Sequence, residues 1–148
     1  MANRAELMAA YSAACFDAAT PVGLVTLQIG QKNDGVARLY KCRGASSAAY
    51  LTAWNPMSVP QTLEQNEAAQ AQLIAHLHAH GLTFYEGSGR DPTGQWPPEK
   101  SLLIIGISAV DACALGRRYA QAAVVIVAAD AVPRLMWVVE NGLAKNDV

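Results

Sequence analysis

LTFYEGSGRDPTGQWPPEKSLLIIG, running from Leu82 to Gly106, is the stretch on which the reading of this chain turns. Its two ends, Leu82–Tyr85 and Leu102–Gly106, are aliphatic and aromatic runs with the composition of strands. Between them lies a polar segment, Gly87–Lys100, that reads as one long loop. A structureless connection of that length is uncommon inside a compact domain and is usually either functional or disordered. Arg90, Asp91, Trp96 and Glu99 stand among turn-forming Gly and Pro, which sets the segment apart from a plain linker.

The flanks supply the rest of the fold. Upstream, Ala48–Trp54 is a strand that ends at Asn55-Pro56, and Met57–Pro60 is irregular. Gln61–His80 is the longest helical stretch, and Gly81 stands where a C-terminal capping glycine belongs. Downstream, Ser108 opens a helix with Asp111 three residues later in a capping pattern, and that helix runs to about Tyr119. Ala122–Val127 is a continuous apolar strand. From Ala48 to Val127 the order is β-α-β-β-α-β, the ferredoxin-like, split βαβ arrangement. The expected fold class is α+β, a ferredoxin-like antiparallel sheet backed by helices.

Additions are expected on both sides of this core. Arg4–Phe16 places Leu7, Ala10, Tyr11 and Ala14 on one apolar helical face, and Pro21 blocks its continuation. Val22–Gly30 and Val36–Arg43 read as strands of a hairpin, joined through Lys32-Asn33-Asp34-Gly35, since Asp-Gly accepts the positive φ of a tight turn. Arg134–Val139 is a final strand, and Glu140–Val148 a frayed tail. All 148 residues form one domain, with its core at 48–127 and the helix and hairpin at 4–43.

Composition narrows the function classes. The chain is 52% hydrophobic and 16% charged, which is globular rather than disordered. A net charge of −1 leaves no basic excess for bulk nucleic-acid or anionic-membrane attraction. No apolar run approaches a bilayer span. Cys15, Cys42 and Cys113 are odd in number and widely spaced, as reduced thiols are. The expected setting is the bacterial-type cytoplasm. No Walker loop, nucleophile elbow or dinucleotide fingerprint occurs, so no cofactor is expected. HLHAH puts His76 and His80 one helical turn apart, but no Glu follows the first His. They also lie at the far end of their helix from the other polar residues, so no metal is expected.

The β-α-β-β-α-β order brings a specific set of termini to one sheet edge. These are Asn55, the start of Gln61–His80, Tyr85-Glu86-Gly87, Glu99–Ser101, Arg117–Tyr119 and Gln121, with the Gly87–Lys100 loop above them. Asn66 shares the inward stripe of the long helix with Leu63, Gln70, Leu73 and Leu77, and a buried amide there needs partners. Each residue has a plain structural reading. Asn66 caps or tethers a loop, Glu99 pairs with Arg90 or Lys100, Ser101 and Gln121 bond nearby backbone, and Trp96 anchors the loop to the core. Convergence of unrelated polar residues from five segments favours a site.

TAWNP (Thr52–Pro56), Asn66, GSGRDPTGQWPPEKS (Gly87–Ser101) and RRYAQAAVV (Arg117–Val125), taken in order, resemble the bacterial domain of unknown function family 3293. The resemblance covers about Ala48 to Val127. It implies that Asn55, Asn66, Gly87, Gly89, Asp91, Trp96, Glu99, Ser101 and Gln121 match the family pattern. It implies no activity.

Three functional readings stay open. The first is a small-molecule or regulatory binding domain: Asn55, Asn66 and Gln121 hydrogen-bond a small polar or anionic ligand, Arg90 holds an anionic group with Asp91 beside it, and Trp96 stacks. The second is a hydrolase or transferase with Glu99 as acid or base, Ser101 as positioning hydroxyl or nucleophile, and Asn55, Asn66 and Gln121 as electrophilic stabilisers. The third is a protein-interaction module acting through the sheet edge or outer hairpin. The oligomeric state is not encoded in any motif.

Overall fold

The protein, seen as a computed structural model, is described over residues 3–138, so the expectations for Val139 and Glu140–Val148 lie outside the described residues. Among the described residues are four α-helices and seven strands. The fold is α+β, and the strands form one antiparallel sheet. In chain order the elements are α1 (Arg4–Ala13), β1 (Cys15–Thr20), β2 (Gly23–Leu27), α2 (Asp34–Arg43), β3 (Ala48–Leu51), α3 (Leu63–Ala79), β4 (Thr83–Arg90), β5 (Glu99–Ile105), α4 (Ala109–Arg118), β6 (Ala123–Val127) and β7 (Pro133–Trp137). The sheet order is β2-β1-β4-β5-β3-β6-β7.

Both faces of this sheet are covered. Along β3 every residue is buried, Ala48 and Tyr50 in one core and Ala49 and Leu51 in the other. β5 divides the same way, with Leu103 and Ile105 on one side and Leu102 and Ile104 on the other. Alternate side chains of a strand point to opposite faces, so an unbroken apolar run implies cover on both. α2 packs on the first face through Val36, Leu39 and Tyr40. α3 and α4 pack on the second through Leu73, Leu77, Ala112 and Leu115. α3 starts with a full capping box between Thr62 and Gln65. Its inward stripe is Asn66, Gln70, Leu73 and Leu77, whereas Leu63, expected on that stripe, is 67% exposed.

The N-terminal third departs from expectation. The segment read as a strand, Val36–Arg43, is helix α2. Asn33 does not form a hairpin turn. Its side chain accepts from the Val36 amide at 2.9 Å as an N-cap and donates to the Thr26 carbonyl at 2.9 Å. Val36, Leu39 and Tyr40 fall at helical spacing, and Gly44 closes the helix in the left-handed conformation. The hairpin is instead β1–β2, turned at Pro21-Val22 and held by Thr20, whose hydroxyl donates to the Gly23 carbonyl and accepts from the Val22 amide. The first helix therefore stops at Ala13 rather than Phe16, because Cys15 onward pairs with β2 and β4.

The long loop is also shorter than its composition implies. β4 runs on to Arg90 and β5 begins at Glu99, with Gly87 opposite Ser101 and Gly89 opposite Glu99. The connection shrinks to residues 91–98. Two glycines inside a strand usually argue against it. Here they allow β1 to dock: a Cβ on Gly87 would run into the Asp17 carbonyl oxygen.

Candidate functional site

Polar residues gather where β3 ends and β5 and β6 begin. Asn55 lies just beyond β3 with φ 45°, a left-handed conformation tolerated by Asn better than by most residues. Asn66 of α3 holds it there. The Asn55 amide donates to Asn66 Oδ1 at 2.9 Å, and Asn66 Nδ2 donates to Asn55 Oδ1 at 2.8 Å. Asn55 Oδ1 also accepts from the Gln61 amide, which ties the start of α3 to the same point. The remaining donor of the side chain, Asn55 Nδ2, reaches Glu99 Oε2 at 3.1 Å. A line of amides thus runs from the helix on one face of the sheet to a carboxyl on the other.

Backbone strain concentrates around this line. Met57, Ser58 and Ala120 join Asn55 among the non-glycine residues at positive φ. The Met57 amide donates to the Ala120 carbonyl at 2.7 Å. Gln121 braces the same corner, its Nε2 donating to the carbonyls of Trp54 and Tyr119 at 3.1 and 3.3 Å. Strained residues persist only where surrounding structure over-determines them, and they cluster at functional sites.

The strained corner opens onto a cavity of about 460 Å³ between α1 and the first face of the sheet. Its floor is Tyr50, Ser101, Ala123 and Val125; Phe16 and Gly89 form one wall, Trp96 and Pro97 another, and Asn55, Glu99 and Gln121 the polar end. Its roof is Leu7, Ala10, Tyr11 and Ala14. That is the apolar face read from the sequence of α1, but it faces a cavity rather than a filled core, and no residue of α1 is fully buried.

Electrostatics at the polar end are set by burial. Desolvation pushes the Glu99 carboxyl above its ordinary range, only partly offset by the Asn55 hydrogen bond. Tyr11 is pushed up to about 12, first by burial and then by the Glu99 charge. Tyr50 is pushed up further for the same first reason, against the Ser101 hydroxyl, and it donates to the Asp17 carbonyl at 2.7 Å. Ser101 Oγ donates to the Glu99 carbonyl at 2.9 Å.

Of the residues singled out in the sequence, Asn55, Trp96, Glu99, Ser101 and Gln121 line the cavity. Asn66 stands behind Asn55 and reaches the cavity only through it. Arg90 and Asp91 are elsewhere. Arg90 Nε pairs with Asp17 Oδ2 at 2.6 Å, and Asp17 Oδ1 accepts from Thr26 Oγ1, a link across β4, β1 and β2. Asp91 folds its own loop, accepting from the Thr93 and Gln95 amides, which hold its carboxyl below the usual range. Glu99 pairs with neither Arg90 nor Lys100; the latter reaches Glu67 at 2.8 Å. Trp96 is half-buried and packs against the core on the α1 face. His76 and His80 stack on each other with centroids 4.2 Å apart, at the other end of α3.

Sequence reasoning missed Tyr11, Phe16 and Tyr50. Their signal was present as aromatic residues on apolar faces, but nothing local distinguishes an aromatic that fills a core from one that lines a cavity. A family profile described as "Protein of unknown function (DUF3293)" matches residues 51–124, half of the chain. No curated protein and no solved structure matches it.

Proposed function

The chain belongs to the DUF3293 family, and we propose that it is a small-molecule-binding domain whose ligand occupies the cavity beneath α1. The observation that carries this reading is a single preformed cavity wall that combines apolar and aromatic surface with a few convergent polar groups, the usual form of a ligand site. Glu99 and Asn55 serve as the polar anchor, and Asn66 positions Asn55. Support for the anionic-ligand version is thin, since Arg90 is engaged by Asp17. Among the described residues that line the cavity, none is Lys, Arg or His.

The enzyme reading draws on the Glu99 carboxyl at the polar end of the cavity, which burial raises above its ordinary range. Ser101 as nucleophile lacks a base beside it, because its hydroxyl donates to a backbone carbonyl. As to fold, the central order β6-β3-β5-β4, with neighbours antiparallel, supports assigning 48–127 to the ferredoxin-like split βαβ arrangement. A reducing cytoplasmic setting accords with the exposed thiol of Cys42. Among the described residues no helix is long and apolar enough to cross a membrane.

A fragment screen by NMR tests the reading. Fragments that shift the Tyr50, Phe16 and Tyr11 ring resonances are expected to lose that effect in Ala10→Trp, which fills the cavity from its roof. Fragments that bind both proteins alike, or none that touch those rings, count against it.

A further inference from the structure

We propose that the ligand of this cavity is an organic cation, a protonated amine or quaternary ammonium on a compact apolar body, with its charge between Glu99 and the aromatic wall. The inference rests on the cavity being a ligand site and adds the chemical class. Three rings line up across the wall: Tyr11 and Phe16 have centroids 6.3 Å apart, and Phe16 and Tyr50 5.3 Å apart. Trp96 adds a further aromatic side chain at the same cavity. Ring faces attract a cation within roughly 6 Å of the centroid, most strongly where water is excluded.

The charge pattern is one-sided. Both charged side chains on the wall, Glu6 and Glu99, are acids. Glu99 spends Oε2 on Asn55, and its Oε1 takes no hydrogen bond from the described residues. The carboxyl is half-buried and has no cation partner among the described residues, so burial disfavours its charge. A ligand cation beside it would supply the missing partner and favour the ionised form. A carboxylate ligand would meet repulsion there. A neutral ligand would leave the carboxylate without a cation partner.

Benzylamine, benzyl alcohol and benzoate share one apolar body and differ in charge, so titrating each into the full chain separates the cases. At pH 7.5 benzylamine is expected to bind at least about tenfold more tightly than benzyl alcohol, about 1.4 kcal/mol, with benzoate weakest. Glu99→Gln is expected to remove that preference while benzyl alcohol binding persists. In wild type, lowering the pH from 7.5 to below the ordinary carboxyl value of 4.5 should weaken benzylamine binding as Glu99 takes up a proton, a readout that needs no variant. Equal or tighter binding of the alcohol or benzoate, an amine preference that survives in Glu99→Gln, or a flat pH profile overturns the inference and leaves the pocket reading standing. Absence of binding by all three removes both.

Discussion

Asn55 and Asn66 show what a single buried amide does in this protein. Asn55 is held at positive φ by two hydrogen bonds to the Asn66 side chain, and only from that position does its Nδ2 reach Glu99. Asn66 is 2% exposed, so removing it leaves the Asn55 amide without its partner in a place water scarcely reaches. Asn66→Ala is expected to cost about 1–3 kcal/mol of stability, by the general penalty for stranding a buried polar group. Chemical denaturation measures this. It is also expected to disorder Asn55 and so weaken cavity ligands, although Asn66 lies outside the cavity. A wild-type midpoint would show that the pair is dispensable to the fold. Asn66 was readable from the sequence, as a polar residue on an apolar helical stripe. The roles of Arg90 and Asp91 were not: both stand in a polar stretch, and only pairing with Asp17, 73 positions away, sets the use of Arg90.

At the scale of elements, β1 is the piece that closes the cavity wall and completes the sheet between β2 and β4. Its docking depends on Gly87. The Asp17 carbonyl occupies the place a side chain would take, so Gly87→Ala must displace either strand. The expected loss is at the upper end of overpacking costs, about 3 kcal/mol. The Phe16 and Arg90 resonances should be perturbed together, because both sit in the β1–β4 register. A helix offers the parallel case. Gly116 of α4 faces Val124 and Val138 so closely that a Cβ would meet their methyl groups at 2.9 and 2.8 Å. Ala for Gly normally stabilises a helix interior by up to about 1 kcal/mol. Here Gly116→Ala is expected to destabilise instead, by about 1–3 kcal/mol in thermal or urea melts. Stabilisation would mean that α4 can move off the sheet without penalty.

For the whole molecule, Glu99 links stability to pH. Its carboxyl holds its proton more tightly in the folded protein than in the unfolded chain, because burial disfavours the charge. The contribution is therefore present in full below the ordinary value of 4.5 and is lost as the pH rises through the raised value. Gln in its place keeps an acceptor for Asn55 Nδ2 and carries no charge. Wild type and Glu99→Gln should then differ least in acid, and the variant should gain relative stability as the pH climbs above 4.5. Melting temperatures of the two proteins at matched pH give the answer. A difference that does not change with pH would mean that Glu99 is solvated like a surface carboxyl.

Local chemistry by itself determined the middle of the chain. Capping residues, a terminal glycine and continuous apolar runs are short-range signals, and they placed α3, α4, β3, β5 and β6 close to where they lie. The strand-helix order then brought Asn55, Asn66, Glu99, Ser101 and Gln121 to one edge, since antiparallel neighbours must alternate their ends. Only the tertiary structure decided the N-terminal third. Asn33-Asp34-Gly35 serves a hairpin or a helix start equally well, and the choice fell to burial of Val36, Leu39 and Tyr40 against the sheet. Gly87 and Gly89 read as loop until β1 arrives to use the space they leave. The cavity belongs to the same class of fact. An apolar stripe on α1 encodes a face that shuns water, but whether side chains or a void lie beneath it depends on how far the helix stands from the sheet. That distance is set by the packing of residues remote in sequence, and no local pattern contains it.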